Sequence, residues 1–199
     1  HQFKEAALRS IEADFKVIEL HFAHGYLVHE FCSPISNQRK DNYGGSLENR
    51  CRLAIEITKS VREIIPDGTP LFVRISSTDW VEGGWDIDQS VQLTKWLKEV
   101  GVDLIDCSSG GNVPNAKIPA SPGYQIPFAE KIKNEVGILT GGVGLITTAE
   151  QAEEIISSGR ADIVLLAREM LRDPYWALHS AKKLNVDLTD WPNQYLRAK

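Results

Sequence analysis

The sequence has few cysteines and no long apolar run, and these absences exclude several classes of protein. Its three cysteines, Cys32, Cys51 and Cys107, are an odd number at wide spacings, so we expect reduced thiols rather than a disulfide framework or a Cys-x-x-Cys metal site. No apolar run approaches the roughly 20 residues of a spanning helix, and no signal-peptide pattern opens the chain. We therefore expect a cytoplasmic protein with no membrane partner.

An excess of positive charge is also absent. The 22 Lys and Arg residues are outnumbered by 27 Asp and Glu residues, which gives a net charge of -5. Because binding of a phosphate backbone needs a basic face, this balance argues against a nucleic-acid partner. The 199 residues are 42% hydrophobic and 25% charged, which is the composition of an ordinary globular protein.

Short apolar runs alternate with amphipathic segments along the chain, a pattern typical of parallel strands joined by crossover helices. The opening segment FKEAALRSIEADF is a predicted helix. The predicted strands are Val17 to Phe22, Leu71 to Ile75, Leu104 to Ser108, Gly137 to Thr140 and Ile163 to Ala167. The predicted helices between and after them are Leu47 to Ile65, Ile87 to Val100, Phe128 to Glu135, Thr148 to Ser157 and Tyr175 to Leu184.

The loops differ in length between the two ends of the predicted sheet. Segments that lead from helix to strand are brief, such as GVD and GRAD, whereas the longest loops, SPISNQRKDNYGGS and SGGNVPNAKIPASPGYQIP, leave strands. Sites of parallel α/β proteins lie at the carboxyl ends of the strands, so we expect the site there. Five units are too few for a closed eight-stranded barrel of about 250 residues. A doubly wound five-stranded sheet fits the length, although no Gly-x-Gly-x-x-Gly turn follows the first strand.

Two histidines, His21 and His24, stand at the end of the first predicted strand. They converge only if the strand ends near Phe22 and the chain then turns, as Gly25 would allow. The two imidazoles would then donate hydrogen bonds to one carbonyl oxygen, with Tyr26 close by as a proton donor. The spacing leaves two alternatives open. In the first, His24 is a surface loop residue and His21 is an interior polar group. The second is a metal site, although no known ligand spacing is met.

A phosphate site is predicted near the end of the fold. Gly141, Gly142 and Gly144 are predicted to follow one strand directly, and Arg168 to follow the next. Backbone N–H groups freed by glycines form an anion cradle, to which an arginine adds a bidentate charge. The alternative is a tight turn beside an arginine that pairs with a surface acid.

Two further arginines are open to interpretation from sequence. Arg74 lies inside an apolar strand, where an unpaired charge is costly, so it should face a partner such as a flavin ring or the acid of a buried salt bridge. Arg197 lies near the carboxyl end, where a frayed tail is the ordinary expectation.

The chain resembles the old yellow enzyme family of FMN-dependent ene-reductases, and is most similar to its thermophilic-like branch. The segment HFAHGYLVHEFCSPISNQRKDNYGGSLENR carries most of the resemblance, and PLFVRIS, GVDLIDCSSGG, PGYQIPFAEKI, TGGVGLIT and GRADIVLLAREMLRDPYW follow in the family's order. The resemblance implies an incomplete (β/α)8 TIM barrel, in which residues 1–199 form the carboxyl-terminal part of one FMN-binding domain and the first three strands are absent.

The resemblance also implies roles for individual residues. His21 and His24 would bind the carbonyl oxygen of an enone or enal substrate, and Tyr26 would protonate its α-carbon. Arg74 would lie against the flavin ring. The FMN phosphate would be held by the glycine-rich loop of Gly141, Gly142 and Gly144, by Ala167, where the family often has glycine, and by Arg168.

The resemblance implies a role for Arg197 other than that of a residue in a frayed tail. After Gln194 and Tyr195, it matches an arginine that reaches into a neighbouring subunit's site, although Ala198 and Lys199 stand where that motif usually ends in glycine and tryptophan. The resemblance therefore implies a homo-oligomer.

Two hypotheses of function follow. The first is an oxidoreductase that takes hydride from NAD(P)H through FMN and reduces the C=C bond of α,β-unsaturated carbonyl compounds, without a metal. The second is a non-catalytic or inactive barrel fragment. Relatives that reduce dienoyl thioesters hold an iron-sulfur cluster on closely spaced cysteines, and that spacing does not occur here.

Overall fold

The structure, a computed structural model, describes residues 1–188 and 191–198. Lys199, at which the sequence departs from the family's terminal motif, lies outside the described residues. The strands are β1 Ile18–Phe22, β2 Leu71–Ser76, β3 Leu104–Ser108, β4 Leu139–Gly142 and β5 Ile163–Val164. The helices are α1 Gln2–Glu12, α2 Leu27–Cys32, α3 Leu47–Arg62, α4 Ile87–Glu99, α5 Ile126–Val136, α6 Ala149–Ser157, α7 Arg168–Arg172 and α8 Trp176–Lys183, followed by a 3-10 helix at Asn193–Ala198.

The sheet has five parallel strands in the sequential order β1-β2-β3-β4-β5. A doubly wound sheet reverses its strand order at a switch point, whereas the strands of a barrel follow one another in order. Helices that are neighbours in sequence also contact each other, α3 with α4 and α4 with α5. The fold is therefore a partial TIM-barrel-like unit, which confirms the predicted fold class and excludes the doubly wound alternative.

Side-chain caps fix the starts of three crossover helices. The side chains of Ser46, Asp86 and Thr148 accept hydrogen bonds from the third backbone N–H beyond each cap, which begins α3, α4 and α6. Each helix then presents its apolar face to the sheet.

The predicted bounds of the last two strands are wrong. Gly137 adopts a left-handed conformation, with φ of 64°, as the cap that ends α5, so β4 begins only at Leu139. The strand continues through Gly141 and Gly142, which pair with β3 and β5, so these two glycines lie within a strand rather than after it. β5 is shorter than predicted because α7 begins at Arg168, and neither α7 nor α2 is predicted from the sequence.

The two faces of the sheet differ in character. The outward residues of β1 and β2, including Leu20 and Val73, are buried beneath the helices and form the apolar core. The inward face carries a row of residues in register across the sheet, which runs His21, Arg74, Asp106, Gly141 and Ile163. Charged side chains are therefore concentrated on the inner face. Among the described residues, no helix has both the length and the apolar character needed to cross a bilayer.

Candidate active site

A tight turn at residues 23–26 follows β1 directly. The Tyr26 N–H donates to the Ala23 carbonyl at 3.2 Å, while His24 and Gly25 both have positive φ, of 61° and 75°. Two consecutive left-handed residues are typical of a type I′ turn. The left-handed conformation costs a residue with a Cβ about 1 to 2 kcal/mol, so the surroundings of His24 must hold it there.

Serines at the ends of β2 and β3 hold His24 in place. The His24 N–H donates to Ser76 Oγ at 2.9 Å, and Nε2 of its ring lies 2.6 Å from Ser108 Oγ. Both serines are buried. His24 is therefore fixed by three adjacent strands, and the Ser76 hydroxyl is itself oriented because it donates to the Gly110 carbonyl at 2.8 Å.

The turn also touches the loop that leaves β3. A Cβ added to Gly25 would lie 2.3 Å from the Gly111 carbonyl oxygen, and one added to Gly111 would lie 2.5 Å from the His24 Cα. Both contacts are with backbone atoms, which side-chain movement cannot relieve. Glycine at these two positions permits the loops after β1 and β3 to meet.

The turn brings three predicted residues together. The ring centroids of His21 and His24 are 5.1 Å apart, and those of His21 and Tyr26 are 5.5 Å apart. His21 and Tyr26 are exposed and His24 is half-buried. The strand ends at Phe22, so the geometry on which convergence of the histidines depends is present.

Both histidines are held in the neutral form at neutral pH. Burial, followed by the positive charge of Arg74, lowers the pKa of His21 below its ordinary value. Burial, followed by the positive charge of Arg74 and by smaller contributions from His21 and His29, lowers the pKa of His24 to about 4. Neutral imidazole has one N–H donor and one acceptor nitrogen, so each ring retains a proton to share.

Arg74 takes part in the predicted salt bridge. Its Nε lies 3.1 Å from Oδ2 of Asp106, which faces it in register from β3. Although Arg74 favours the carboxylate form, burial outweighs it, and with a smaller contribution from Glu19 raises the pKa of Asp106 to about 7. The Arg74 side chain is 29% exposed, so part of it remains available at the pocket described next.

A pocket of about 250 Å³ lies at the carboxyl ends of β2 to β5. Its lining residues include Arg74 and Ser108, the segments 143–147 and 165–169, and Arg172. The predicted residues Arg74, Gly144, Ala167 and Arg168 therefore share one cavity, whereas Gly141 and Gly142 are not among its lining residues. A Cβ on Gly142 would lie 2.6 Å from Ile126 Cδ1, so that glycine permits α5 to approach β4 closely.

Gly144 has two reasons to be glycine. Its φ is 131°, and a Cβ would lie 3.1 Å both from Gln125 Nε2 and from the Tyr124 ring. Gln125 in turn donates from Nε2 to the Val143 carbonyl at 3.0 Å, and the Gly123 N–H donates to the Gly144 carbonyl at 2.8 Å. The segment before α5 thus holds the glycine loop at the edge of the pocket.

The two remaining predicted arginines are both exposed. Arg168 has no ion pair with any residue in the described part of the chain, whereas the nearby Arg172 pairs with Glu169. The surface acid that would give Arg168 an ordinary structural role is therefore not found among those residues. Arg197 lies in the 3-10 helix, and no hydrogen bond or ion pair connects it to the histidines within residues 1–188 and 191–198.

Several site residues are not predicted from the sequence. Ser76, Ser108, Asp106 and Gln125 are missed, and only Asp106 leaves a usable signal. It is an acid at the centre of the apolar run LIDCS, at the position that matches Arg74 in LFVRIS. Within the described residues, no group of three or more histidine, cysteine or acidic side chains is arranged to hold a metal ion.

The sheet and its pocket define a partial barrel of β/α units with a candidate site at the carboxyl ends of its strands. The chain belongs to the NADH:flavin oxidoreductase / NADH oxidase family, whose family model matches residues 1–187. The predicted family resemblance is thus confirmed, and with it the predicted cofactors of the family, FMN and NAD(P)H.

Similar proteins agree with this assignment. The chain is 55% identical over 197 residues to an NADPH dehydrogenase of Bacillus velezensis and 53% identical over 196 residues to one of Bacillus subtilis, which cover 99% and 98% of the chain. It spans 57% of the length of each. Among solved structures, a 2-naphthoyl-CoA reductase bound to 2-naphthoyl-CoA superposes with a TM-score of 0.83 at 30% identity, covering 92% of this chain and 28% of that protein. Histamine dehydrogenase of Rhizobium sp. 4-9 superposes with a TM-score of 0.77 at 29% identity, and the match covers 92% of this chain and 26% of that protein.

The pocket fits one end of FMN in its chemistry. A phosphate dianion requires backbone N–H groups that can approach it closely and a cation without a competing acid. Gly144 and Arg168 both line the pocket, and Arg168 has no ion pair within the described part of the chain, so the pocket can provide both features. Arg74 lines the same pocket and lies in register with His21.

Proposed function

We propose that residues 1–199 form part of a single FMN-binding barrel domain, and that the protein takes hydride from NAD(P)H and reduces the C=C bond of α,β-unsaturated carbonyl compounds. The observation that carries this proposal is the convergence of His21, His24 and Tyr26 beside a pocket lined by Arg74 and Arg168. Two neutral imidazoles and a phenol in one cluster suit recognition of a carbonyl oxygen and delivery of a proton.

Each residue of the cluster has a separate task. His21 and His24 donate hydrogen bonds to the carbonyl oxygen, which withdraws electrons from the β-carbon. When the Ser108 hydroxyl donates to His24 Nε2, the proton of that neutral ring lies on Nδ1 and is available to the substrate. The pocket beside this cluster would hold FMN, which, reduced by NAD(P)H, would supply the hydride for the β-carbon. Tyr26, which is 65% exposed, gives a proton to the α-carbon and completes the reduction.

The pocket residues hold the cofactor. Arg168 and the backbone around Gly144 and Ala167 bind its phosphate, and Arg74 places positive charge against the ring. Asp106 holds Arg74 through the 3.1 Å contact and limits its movement. These assignments require no metal.

Assembly is a further part of the proposal. Arg197 is exposed, as a residue must be if it reaches into a neighbouring subunit's site in a homo-oligomer. Mixing of Arg197→Ala subunits with His24→Gln subunits tests this directly. If the arginine acts in the neighbouring site, some mixed assemblies regain activity that neither variant has alone.

The first experiment compares the binding of FMN and riboflavin, which lacks the phosphate. Arg168→Ala should weaken FMN binding by about 10- to 100-fold, because a charge-assisted hydrogen bond to phosphate is lost, and should leave riboflavin binding nearly unchanged. Arg160→Ala is the matched control, since that arginine is paired with Glu130 and is not among the residues that line the pocket. The loaded protein, reduced with NADPH under anaerobic conditions, should then be reoxidised by 2-cyclohexenone. Absence of FMN binding or of reoxidation would contradict the proposal and favour a non-catalytic role.

A further inference from the structure

Behind the turn that carries His24 and Tyr26 lies a buried pair, His29 and Asp79, that has no part in the reaction as proposed. Their side chains are 1% and 0% exposed, and His29 Nε2 lies 3.0 Å from Asp79 Oδ1. The other ring nitrogen, His29 Nδ1, accepts a hydrogen bond from the Gly25 N–H at 2.9 Å. The pair therefore connects the loop after β2 to the central peptide of the turn.

The hydrogen bonds at the two ends of this chain fix which of the two atoms in the 3.0 Å contact between His29 and Asp79 carries the proton. The Gly25 N–H can only donate, so His29 Nδ1 carries no proton and the ring proton lies on Nε2, toward Asp79. At the other end, Asp79 Oδ2 accepts from Ser33 Oγ at 2.6 Å and from the Trp85 N–H at 2.9 Å. Only a carboxylate accepts from both sides. Burial acts to raise the pKa of Asp79, but hydrogen bonds from His29, Ser33 and the Trp85 amide outweigh it and lower the pKa, which agrees with the ionised form.

We propose that His29 and Asp79 are positioning residues that hold the Gly25 amide and so set the orientation of His24 and Tyr26 toward the substrate carbonyl, an inference that rests on the proposed function. The N–H groups on either side of Gly25 are held by Ser76 and by the Ala23 carbonyl. The central N–H has its acceptor only in His29 Nδ1 among the described residues. Without that acceptor a half-buried donor is left unpaired, which favours rotation of the peptide that joins His24 to Gly25.

Two substitutions of one residue separate positioning from simple packing. In His29→Asn, the side-chain oxygen lies near the place of Nδ1 and can still accept the Gly25 N–H, while the contact with Asp79 is lost. In His29→Gln, the longer amide reaches Asp79 but leaves Gly25 without an acceptor. Both variants lose the imidazole ring, so their losses of packing are similar.

Asp79→Asn tests the other end of the chain. Asparagine has one acceptor and one donor, so when its oxygen faces the Trp85 N–H, its NH2 group faces His29 Nε2. The His29 proton must then move to Nδ1, where it opposes the Gly25 N–H. This variant should behave like His29→Gln although the ring is intact.

The first readout needs no cofactor and is hydrogen exchange of the Gly25 amide, measured by NMR. We expect exchange about tenfold faster or more in His29→Gln and Asp79→Asn, and near the wild-type rate in His29→Asn. Ile132→Ala, in the buried face of α5 away from the turn, is the control for a general loss of stability. It should lower the melting temperature and leave local exchange of Gly25 unchanged.

The second readout is the affinity of the FMN-loaded protein for 4-hydroxybenzaldehyde, followed through the flavin absorbance. We expect the phenol oxygen of this ligand to accept hydrogen bonds from His21 and His24 in place of the substrate carbonyl. We expect affinity to fall by about tenfold in His29→Gln and Asp79→Asn and by much less in His29→Asn, in the order of the exchange rates rather than of the melting temperatures.

Three results would overturn the proposal. One is equal acceleration of Gly25 exchange in His29→Asn and His29→Gln. Another is ligand affinity that follows the melting temperature across all variants, including Ile132→Ala. The third, which needs no variant to fold, is a ¹⁵N spectrum of the wild-type protein that places the His29 ring proton on Nδ1. Failure of the wild-type protein to bind FMN would instead refute the proposed function, and the exchange comparison would still decide whether His29 holds the Gly25 amide.

Discussion

Substitution of Gly25 by alanine tests whether the loops after β1 and β3 meet as described. A Cβ at this position would lie 2.3 Å from the Gly111 carbonyl oxygen, far inside van der Waals contact. The atoms that it would meet all belong to the backbone, so side-chain movement cannot relieve the contact. The matched control is Gly68→Ala. Gly68 has a similar φ, 82° against 75° for Gly25, but a Cβ there meets nothing within 4 Å.

The control isolates the cost of the backbone conformation. Alanine at Gly68 should cost about 1 to 2 kcal/mol for its positive φ alone. At Gly25 the same cost applies, and relief of the contact must also separate the loops and break one or two of the hydrogen bonds of the turn, at about 1 kcal/mol each. We therefore expect a total of about 2 to 4 kcal/mol. At about 2 to 4 °C for each kcal/mol in a domain of this size, the melting temperature should fall roughly twice as far as in the control.

Urea and thermal unfolding of the three proteins, followed by circular dichroism, measure both effects. Gly111→Ala should reproduce the Gly25→Ala result from the other side of the contact, since its Cβ would lie 2.5 Å from the His24 Cα. Equal losses of stability in Gly25→Ala and Gly68→Ala would refute the reasoning, because the contact between the loops would then contribute nothing.

The remaining predictions concern titration and charge. Because burial, followed by Arg74, lowers the pKa of His24 to about 4 from an ordinary 6.5, its neutral ring stabilises the fold above pH 6.5, and this contribution is lost as the pH falls toward 4. Urea unfolding of His24→Gln should show that the free energy of unfolding falls less between pH 7 and 5 than in the wild type, by about 1 kcal/mol once solvent screening is allowed for. The same pH dependence in the variant and the wild type would contradict this. Burial raises the pKa of Asp106 to about 7, so its protonated form stabilises the fold at low pH and this contribution is lost as the pH rises through 7. Asp106→Asn should therefore flatten the stability profile between about pH 4 and pH 7, and a carboxyl infrared band at pH 6 that persists in the variant would show that another acid is responsible.

The alternation of apolar runs and amphipathic segments is sufficient to predict the five β/α units, because strand and helix periodicities differ and the loops from helix to strand are short. The strand order is not accessible in the same way, since doubly wound sheets and barrels share that alternation. The bounds of β4 were wrong because a glycine pair was interpreted as a turn, whereas partners on both sides hold Gly141 and Gly142 extended.

The candidate site, like the fold, can be predicted from the sequence only in part. Convergence of His21 and His24 is predictable because it depends on a local turn at Gly25. The contacts of His24 with Ser76 and Ser108 join residues 52 and 84 positions apart, and only the register of the sheet brings them together. Identifying such partners requires the pairing of strands, which a single sequence does not contain.

The contact between Gly25 and Gly111 has a consequence for redesign of the protein. The loop after β3 offers a long surface for altering ligand preference, but its first residues support the backbone of the histidine turn, so changes there would disturb the chemistry together with the preference. Residues 113–122 are mostly exposed and lie beyond this support. A library that varies those positions and leaves 110–112 intact would explore new ligands while the reacting groups stay in place.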